Sequence, residues 1–347
     1  MPERVLITGA TGFVGSAVAR AFCEAGYRVR VLVRESSPQT NLAGLAVEAV
    51  FGDLTRAESF TPALAGCQGL VHVAADYRFF VPDPKRMYQV NVTGTERLFR
   101  EAARAGVRRM VYTSSVATLG HRRDDAPADE TNIAGEKDMI GHYKRSKLIA
   151  EDRVRRLAVG EDLDIVIVNP SAPVGPRDIK PTPTGRMVYE AARGHMPAYV
   201  DTGLNIVHVD DVGHGHRLAY ERGQRGERYI LGGDNLTLAR ILAIIARFSA
   251  RRAPRIRLAP AVVVPVAWLA EGWARMTHTQ PFVTRDELAM ARRPMYFTSA
   301  KAERELGYTH RPADLAFEDA LTWAAAQGRL GRNFRLHCPP SQRGPAA

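Results

Sequence analysis

The stretch Thr8-Gly9-Ala10-Thr11-Gly12-Phe13-Val14-Gly15 is the strongest indication of the fold, because it joins a short apolar run to an apolar helix predicted over residues 13–25. Gly9 permits a tight turn, Gly12 lets the backbone approach a pyrophosphate, and Gly15 lets the helix pack closely on the strand. The helix N-terminus adds free N–H groups and the positive end of its dipole. The stretch therefore predicts a strand–turn–helix unit that binds a dinucleotide. The residues expected to contact it here are Gly9, Thr11, Gly12, Phe13, Val14 and Gly15.

The first half of the chain alternates apolar runs with helical patterns. The runs are β-branched and nearly continuous, as expected for strands covered on both faces. Helices are predicted over residues 87–105 and 143–157. This repetition predicts an α/β fold with a Rossmann-type, doubly wound parallel sheet. The predicted strands are residues 5–8, 29–33, 47–51, 70–74, 110–114 and 165–168.

The pattern changes after Pro170, where five prolines between residues 173 and 197 break the chain into loops and short helices. Residues 206–220 and 229–231 are predicted to return to the sheet. The rest of the second half reads as a smaller, mostly helical lobe that binds substrate. The predicted division is a Rossmann domain of residues 1–170 and 205–233, a substrate-binding lobe of residues 171–204 and 234–328, and a mobile tail of residues 329–347.

Charge and cysteine content exclude several function classes. The net charge is +11, but the arginines are scattered among acidic residues without a recognition motif, so we expect no nucleic-acid partner. Cys23, Cys67 and Cys338 lie far apart and have neither metal-ligand spacing nor a disulfide framework. We therefore expect no metal, and reduced thiols in the cytoplasm. The start of the chain lacks the basic and apolar regions of a secretory signal.

The longest uncharged apolar stretch, residues 258–270, lies between Arg257 and Glu271. It is too short to span a bilayer and contains Pro260 and Pro265. Two interpretations stay open: a helix packed on the domain, or a shallow membrane-contacting segment that would place the protein peripherally at the inner membrane.

The end of the second predicted strand decides between the two nicotinamide cofactors. An acidic residue there would bind the ribose 2′-hydroxyl of NAD, whereas Arg34 can pair with the 2′-phosphate of NADP, helped by Ser36 or Ser37. Glu35 would favour NAD if it turned inward. We predict NADP, with NAD as the alternative. Further predicted cofactor contacts at strand ends are Asp53, Leu54, Ala74, Ala75, Thr113 and Pro170; for Asp53, a helix N-cap is an equally open interpretation.

The candidate catalytic residues are Ser115, Tyr143 and Lys147. Tyr143 and Lys147 are also predicted cofactor contacts, and Lys147 would hydrogen-bond the nicotinamide ribose. Tyr143 and Lys147 are four residues apart, on one face of a predicted helix. An ammonium and a positive nicotinamide ring would favour the phenolate and lower the pKa of Tyr143 towards the working range. Ser115 would orient the substrate oxygen, and Ser114 is the alternative for this role.

These motifs occur in the order found in extended short-chain dehydrogenase/reductases, which the chain resembles over about residues 1–328. More narrowly, the chain resembles the hopanoid-associated sugar epimerase family, which is itself similar to dihydroflavonol 4-reductases. The matching segments include Val73–Tyr77, Met139–Lys147 and Asn169–Gly185. The resemblance implies an NAD(P)-dependent oxidoreductase or epimerase of lipid metabolism, associated with hopanoid biosynthesis, and a homodimer.

The substrate and the direction of the reaction stay open. Sugar-nucleotide epimerases of this type carry phosphate-binding Asn and Arg residues where this chain has Ala172 and Leu204, although Arg177, Lys180 or Arg186 could substitute. A lipid-linked or small ketone, reduced with exchangeable NADPH, is the alternative to a sugar. A third class is a non-catalytic NADP sensor, which usually lacks the Tyr/Lys pair. The candidate substrate contacts are Tyr77, Thr182, Tyr199 and His208.

Overall fold

The computed structural model describes residues 2–78, 83–122, 124, 126–277, 279, 281, 284–331, 334, 336 and 337. Cys338 and most of the predicted mobile tail lie outside the described residues. The strands are β1 Arg4–Thr8, β2 Arg28–Val33, β3 Val47–Phe51, β4 Gly69–His72, β5 Arg109–Thr113, β6 Ile165–Pro170, β7 Ala172–Val174, β8 Ala198–Val200, β9 Gly203–His208, β10 Arg228–Leu231, β11 Asp234–Thr237 and β12 Ile256–Leu258. The helices are α1 Phe13–Glu24, α2 Ala57–Leu64, α3 Lys85–Tyr88, α4 Thr95–Arg104, α5 Gly141–Gly160, α6 Pro183–Arg193, α7 Val209–Arg222, α8 Leu238–Ser249, α9 Pro260–Thr277, α10 Arg285–Met290, α11 Ala300–Leu306 and α12 Ala313–Ala326.

Seven parallel strands form the central sheet, in the order β10-β6-β5-β4-β1-β2-β3. The chain starts in the middle of the sheet at β1, winds outward to β3, and then returns to β4 on the other side of β1. This reversal is the switch point at which doubly wound sheets open a crevice for a ligand. The predicted Rossmann-type α/β fold is confirmed.

Both faces of the sheet are buried along its inner strands, as the continuous apolar runs predict, whereas the edge strand β3 is partly exposed. Along β1, Val5 and Ile7 pack into one apolar cluster, whereas Leu6 packs into a second cluster on the opposite face. Side chains of a strand alternate between the two faces, so both faces need large apolar residues. Helices cover the faces, and α1 packs directly against α7.

One predicted strand belongs to a different sheet. β9 pairs in parallel with β7 and antiparallel with β11, forming a separate three-stranded sheet. Residues 206–220 and 229–231 are predicted to return to the central sheet. Of these, only the second segment, within β10, joins that sheet, where it lies beside β6. The prediction that residues 206–208 return to the central sheet is therefore wrong, because β10 takes the edge position next to β6.

Two predicted helices differ in detail from the pattern. The helix expected over residues 87–105 is α3 and α4 joined by a π-helical turn, Gln89–Gly94. The apolar stretch at residues 258–270 lies mostly within α9, which contains Pro265. No helix in the described part of the chain is both long enough and apolar enough to cross a bilayer.

Candidate active site

A cavity of about 1020 Å³ opens at the carboxyl ends of the central strands and brings most of the predicted site residues together. The predicted catalytic residues that line it are Ser115, Tyr143 and Lys147. The predicted cofactor contacts that line it are Gly9, Thr11, Gly12, Phe13, Val14, Gly15, Arg34, Asp53, Leu54, Ala74, Ala75, Thr113 and Pro170. The predicted substrate contacts that line it are Tyr77 and Thr182.

The glycine turn forms a cradle that fits a pyrophosphate. Gly9 has φ +75°, and a Cβ there would lie 2.7 Å from the backbone N of Ala74. A Cβ on Gly15 would lie 2.1 Å from the carbonyl oxygen of Gly9, so the close approach of α1 to the turn requires glycine. The N-cap residue of α1 is Gly12, which has no side chain to cap the helix. Its N–H groups and dipole therefore face the cavity where an anion would be stabilised.

The part of the cavity next to the end of β2 is lined by positively charged residues. Arg34 and Ser37 line the cavity, while Glu35 is exposed and is not part of the described lining. Arg86, which the sequence pattern did not single out, also lines the cavity, and its guanidinium lies 3.8 Å from the carboxylate of Asp53. Asp53 accepts hydrogen bonds from the backbone N and the hydroxyl of Thr55, at 2.9 and 2.8 Å. The N-cap residue of α2 is Arg56, so Asp53 does not cap that helix.

The three candidate catalytic side chains meet at the other end of the cradle. The Tyr143 hydroxyl is hydrogen-bonded to Ser115, and the Tyr143 ring contacts the edge of Tyr77 at a centroid distance of 4.6 Å. The Lys147 ammonium donates a hydrogen bond of 2.6 Å to the carbonyl oxygen of Thr113. Because α5 carries Tyr143 and Lys147 one turn apart, both side chains reach the end of β5.

Burial shifts the pKa values of both residues on α5. It raises the pKa of the Tyr143 phenol above its ordinary value, although the hydrogen bond from Ser115 acts in the opposite direction. Burial lowers the pKa of the Lys147 ammonium to about 7, and the nearby Glu151 carboxylate opposes this shift. The expected lowering of the Tyr143 pKa therefore depends on a positive charge beyond those of the chain itself, such as an oxidised nicotinamide ring.

The two neighbouring serines have different environments. The Ser114 hydroxyl donates to the buried carboxylate of Glu151, which also accepts hydrogen bonds from Thr118 at 2.8 Å and Asn169 at 3.1 Å. Ser115 contacts Tyr143 instead. The structure thus engages Ser114 in a buried network and leaves Ser115 beside the candidate acid–base residue.

Asn91, in the π-helical turn, anchors the wall of the cavity. Its side-chain oxygen accepts a hydrogen bond from the backbone N of Asp76 at 2.7 Å, and its amide donates to Ser146 on α5 at 3.0 Å. These bonds tie the loop that carries Tyr77 to the helix that carries Tyr143.

Two predicted substrate contacts lie outside the cavity lining of the described residues. His208 is fully buried: its Nδ1 accepts from the backbone N of Asp210 at 3.1 Å, and its Nε2 lies 3.1 Å from Asp319. Tyr199 is in β8 and packs on the apolar cluster of the second lobe. A third, Thr182, lines the cavity but caps α6, accepting from the backbone N of Gly185 at 3.0 Å.

The remaining lining residues come mainly from loops and helices that sequence periodicity does not place near the site. Ala172 and Leu204 both line the cavity. Of the three cations considered as substitutes at those positions, Lys180 lines it, while Arg177 pairs with Asp210 and Arg186 lies 3.5 Å from Glu287. Further lining residues missed by the sequence analysis include Lys144, Asp178, Met187, Leu238, Glu287, Met290, Met295 and Phe297.

Asp178 is only 2% exposed, and the backbone N and hydroxyl of Thr182 each donate to its carboxylate at 2.9 Å. Burial raises its pKa to about 6, and the hydrogen bonds from Thr182 oppose the shift. A carboxyl with a folded-state pKa above its unfolded value stabilises the fold at low pH and loses that contribution as pH rises through about 4 to 6.

We expect Asp178→Asn to remove this loss. The free energy of unfolding of the variant, measured relative to that of the original protein at the same pH, should rise by about 2.4 kcal/mol from pH 4 to pH 7. Urea unfolding at several pH values measures the difference. Asp152→Asn, which neutralises a half-exposed carboxylate, is the control and should leave the pH profile unchanged. Identical profiles for Asp178→Asn and the original protein would contradict the buried, proton-binding state.

Comparison with known proteins agrees with this geometry. The family model described as the NAD dependent epimerase/dehydratase family matches residues 5–232. A putative dihydroflavonol 4-reductase from Synechocystis sp. is 42% identical over 332 residues, which cover 94% of this chain and 96% of the relative. Sterol demethylase protein B from Methylococcus capsulatus is 34% identical over 327 residues, covering 94% of this chain and 99% of the relative. The crystal structure of a protein designated gox2253 is 51% identical, with a TM-score of 0.85, and the match covers 95% of this chain and all of that one.

Proposed function

Since this chain belongs to the NAD dependent epimerase/dehydratase family, we propose that it transfers a hydride between NADP(H) and a carbonyl or hydroxyl group of an apolar, lipid-linked substrate. The predicted membership of the extended short-chain dehydrogenase/reductases is confirmed, and so is the prediction of an NAD(P)-dependent enzyme that acts on a small molecule. The observation that carries the proposal is the hydrogen-bonded pair Ser115–Tyr143, with Lys147 one helical turn from Tyr143, in the same cavity as the glycine cradle.

The roles we assign follow from where charge develops in a carbonyl reduction. A bound nicotinamide dinucleotide supplies or accepts the hydride. As negative charge builds on the carbonyl oxygen, the Ser115 hydroxyl stabilises it and the Tyr143 hydroxyl donates its proton. The Lys147 ammonium, one helical turn away, stabilises the resulting phenolate. In the oxidative direction Tyr143 accepts the proton instead.

The apolar lining of the substrate side favours a lipid-like carbonyl. Ala172 and Leu204 stand where sugar-nucleotide epimerases of this type carry phosphate-binding groups, and Met290, Met295 and Phe297 extend the apolar wall. Buried apolar surface binds apolar substrates without the cost of desolvating charges. The name of the relative sterol demethylase protein B refers to a sterol, which supports the predicted association with hopanoid lipids.

A nucleotide-sugar epimerase is the second candidate. Lys144 and Lys180 line the cavity and would supply cations for a diphosphate. An epimerase oxidises and reduces its cofactor within one turnover, so it retains the dinucleotide between turnovers. A reductase exchanges the dinucleotide each time.

The experiment that tests the proposal identifies the dinucleotide and its binding site. We expect protein purified without added cofactor to release little dinucleotide on denaturation, to bind NADPH more tightly than NADH, and to oxidise NADPH when apolar ketones are added. Arg34 carries the preference, because a guanidinium pairs with the 2′-phosphate. Arg34→Ala should therefore raise the Kd for NADPH by about 10- to 100-fold and change that for NADH by less than about twofold.

Arg28 provides the control, since it is exposed at the opposite end of β2 from Arg34. Arg28→Ala should leave both Kd values unchanged. NAD that is held tightly and released only on unfolding would support the epimerase instead. Equal losses of NADPH and NADH affinity in Arg34→Ala would remove the assignment of Arg34 to the 2′-phosphate.

We also propose the two-lobe division, with residues 1–170 and 205–233 binding the dinucleotide and residues 171–204 and 234–328 binding substrate. The order of the central sheet supports it, with the exception of β9. The homodimer implied by the resemblance stays a prediction, which light scattering of the purified protein would test.

A further inference from the structure

Helix α9 has the reverse of the usual amphipathic pattern. Among its described side chains, the buried ones are Ala267, Ala270, Glu271 and Ala274, so small residues and one carboxylate face the protein. Most of its large apolar residues face solvent, with exposed fractions between 44% and 78%, while Val263 and Val264 are partly buried. Those that recur at helical spacing and define the exposed face of α9 are Val262, Val266, Leu269, Trp273 and Met276.

A stripe with this spacing lies on one side of a helix, so the exposed face is a continuous apolar surface about four turns long. Its five residues include no charged side chain. Continuous exposed apolar surface on a folded protein marks an interaction site rather than a random occurrence.

The helix is held with this face outward by its contacts to α10. The backbone N and the guanidinium of Arg285 donate to the carboxylate of Glu271, at 2.7 and 2.9 Å. The same guanidinium stacks over the ring of Trp268, 3.8 Å from its centroid. These contacts fix the rotation of α9, so the apolar face cannot turn inward without breaking them.

Positive charge surrounds the start of this face. Exposed arginines precede α9, and β12 joins this segment to β8. The Thr202 hydroxyl, just after β8, donates to the carbonyl oxygen of Arg293 at 3.5 Å. This contact places the exposed Arg292 and Arg293 near β8. Among the described residues, Arg257 pairs with Asp201, whereas the remaining arginines of the cluster form no salt bridge. The exposed arginines of this cluster are Arg251, Arg252, Arg255, Arg257, Arg292 and Arg293.

We propose that the exposed face of α9 docks on the surface of a membrane that contains anionic phospholipids. An apolar face with tryptophan, flanked by arginines, is the combination that inserts into the headgroup region while its cations contact anionic headgroups. A second copy of this chain fits the surface less well, because it would bring one positive cluster and a chain of net charge +11 against another.

The docking face lies next to the candidate active site. Helix α9 packs on α10, and Glu287, Met290 and Ala291 at that helix line the cavity. If the proposed lipid-like substrate is correct, the cavity would receive it from the bilayer side. The docking itself does not rest on that function, since it requires neither cofactor nor turnover.

Sedimentation of the full chain with vesicles tests the proposal. We expect it to bind vesicles of phosphatidylglycerol and phosphatidylcholine, to bind pure phosphatidylcholine more weakly, and to dissociate as salt is raised. The double variant Leu269→Glu/Trp273→Glu should bind anionic vesicles at least about tenfold more weakly. Val159→Glu is the matched control, because Val159 is 81% exposed on α5, away from α9, and its replacement should leave binding unchanged.

Tryptophan fluorescence gives a second readout. The chain has three tryptophans, of which Trp268 and Trp273 lie on α9, so Trp323→Phe leaves emission from this helix alone. On adding anionic vesicles the emission should shift to shorter wavelength. Failure of the original protein to bind, or equal binding by the double variant, would overturn the proposal. Conversion of a dimer to a monomer by the double variant, with no vesicle binding, would instead assign the face to self-association and also overturn it.

Discussion

Replacing Tyr143 with phenylalanine should lower kcat about 10²- to 10⁴-fold while leaving the Kd for NADPH nearly unchanged. The phenylalanine keeps the ring that contacts Tyr77, so the cavity wall is preserved. It removes the hydroxyl that is hydrogen-bonded to Ser115 and with it the proton donor for the carbonyl oxygen. The measurement is NADPH oxidation with whichever ketone the original protein reduces, alongside fluorescence titration of NADPH.

Tyr88→Phe is the control for this loss. Tyr88 lies in α3, where its hydroxyl is 3.3 Å from the Nδ1 of His142, and it is not among the described lining residues. It should retain full turnover. If Tyr143→Phe retained turnover as well, the acid–base assignment would be wrong. A protein whose biological response to NADP survives Tyr143→Phe would be a sensor rather than an enzyme.

The parts of the site that could be predicted from the sequence are those set by local geometry. The turn Gly9–Gly15 needs glycine because a Cβ at Gly9 or Gly15 would collide with backbone atoms only a few residues away or on the adjacent strand. Tyr143 and Lys147 share a helix face because they are four residues apart. Residues at the ends of parallel strands meet at one edge of the sheet, which places Thr113 and Pro170 beside the turn.

The parts that could not be predicted depend on long-range packing. Met290 ends α10, and Met295 and Phe297 reach the cavity because the segment after α10 pairs with Leu204 and Ala128, which no periodicity reveals. His208 ends β9, and the strand–helix pattern predicts that it faces the substrate. However, β9 belongs to the second sheet, and the imidazole is used to cap α7. The end of β9 therefore lies away from the cavity, although Leu204, earlier in the same strand, lines it.

Sequence spacing also did not identify the buried network around Glu151. Glu151 lies one turn beyond Lys147 on α5 and is 3% exposed. Its carboxylate accepts hydrogen bonds from Ser114, Thr118 and Asn169, and it pairs with Arg228 on β10 at 3.1 Å. This network joins α5 to β6 through Asn169 and to β10, at the edge of the sheet, through Arg228. Through Ser114 it also joins α5 to the segment after β5 that carries Ser115.

We expect Glu151→Ala to lower the free energy of unfolding by about 3–5 kcal/mol, because it leaves the Arg228 guanidinium buried without its carboxylate. The hydroxyl and amide donors of the network lose an acceptor at the same time. Urea unfolding followed by circular dichroism measures the change. Asp152→Ala, at the next residue of α5, removes an exposed partner of Arg156 and should cost about 0.5 kcal/mol or less.

The double variant Glu151→Leu/Arg228→Met separates the cost of an unpaired charge from the cost of altered packing. If the penalty arises from the uncompensated guanidinium, replacing both partners with apolar side chains should recover most of the stability lost in Glu151→Ala. It should not restore turnover fully, because Asn169, which donates to the carbonyl oxygen of Ser115 at 3.0 Å, still lacks its partner on α5. A double variant as unstable as Glu151→Ala would show that the network stabilises the fold through its hydrogen bonds rather than through the ion pair.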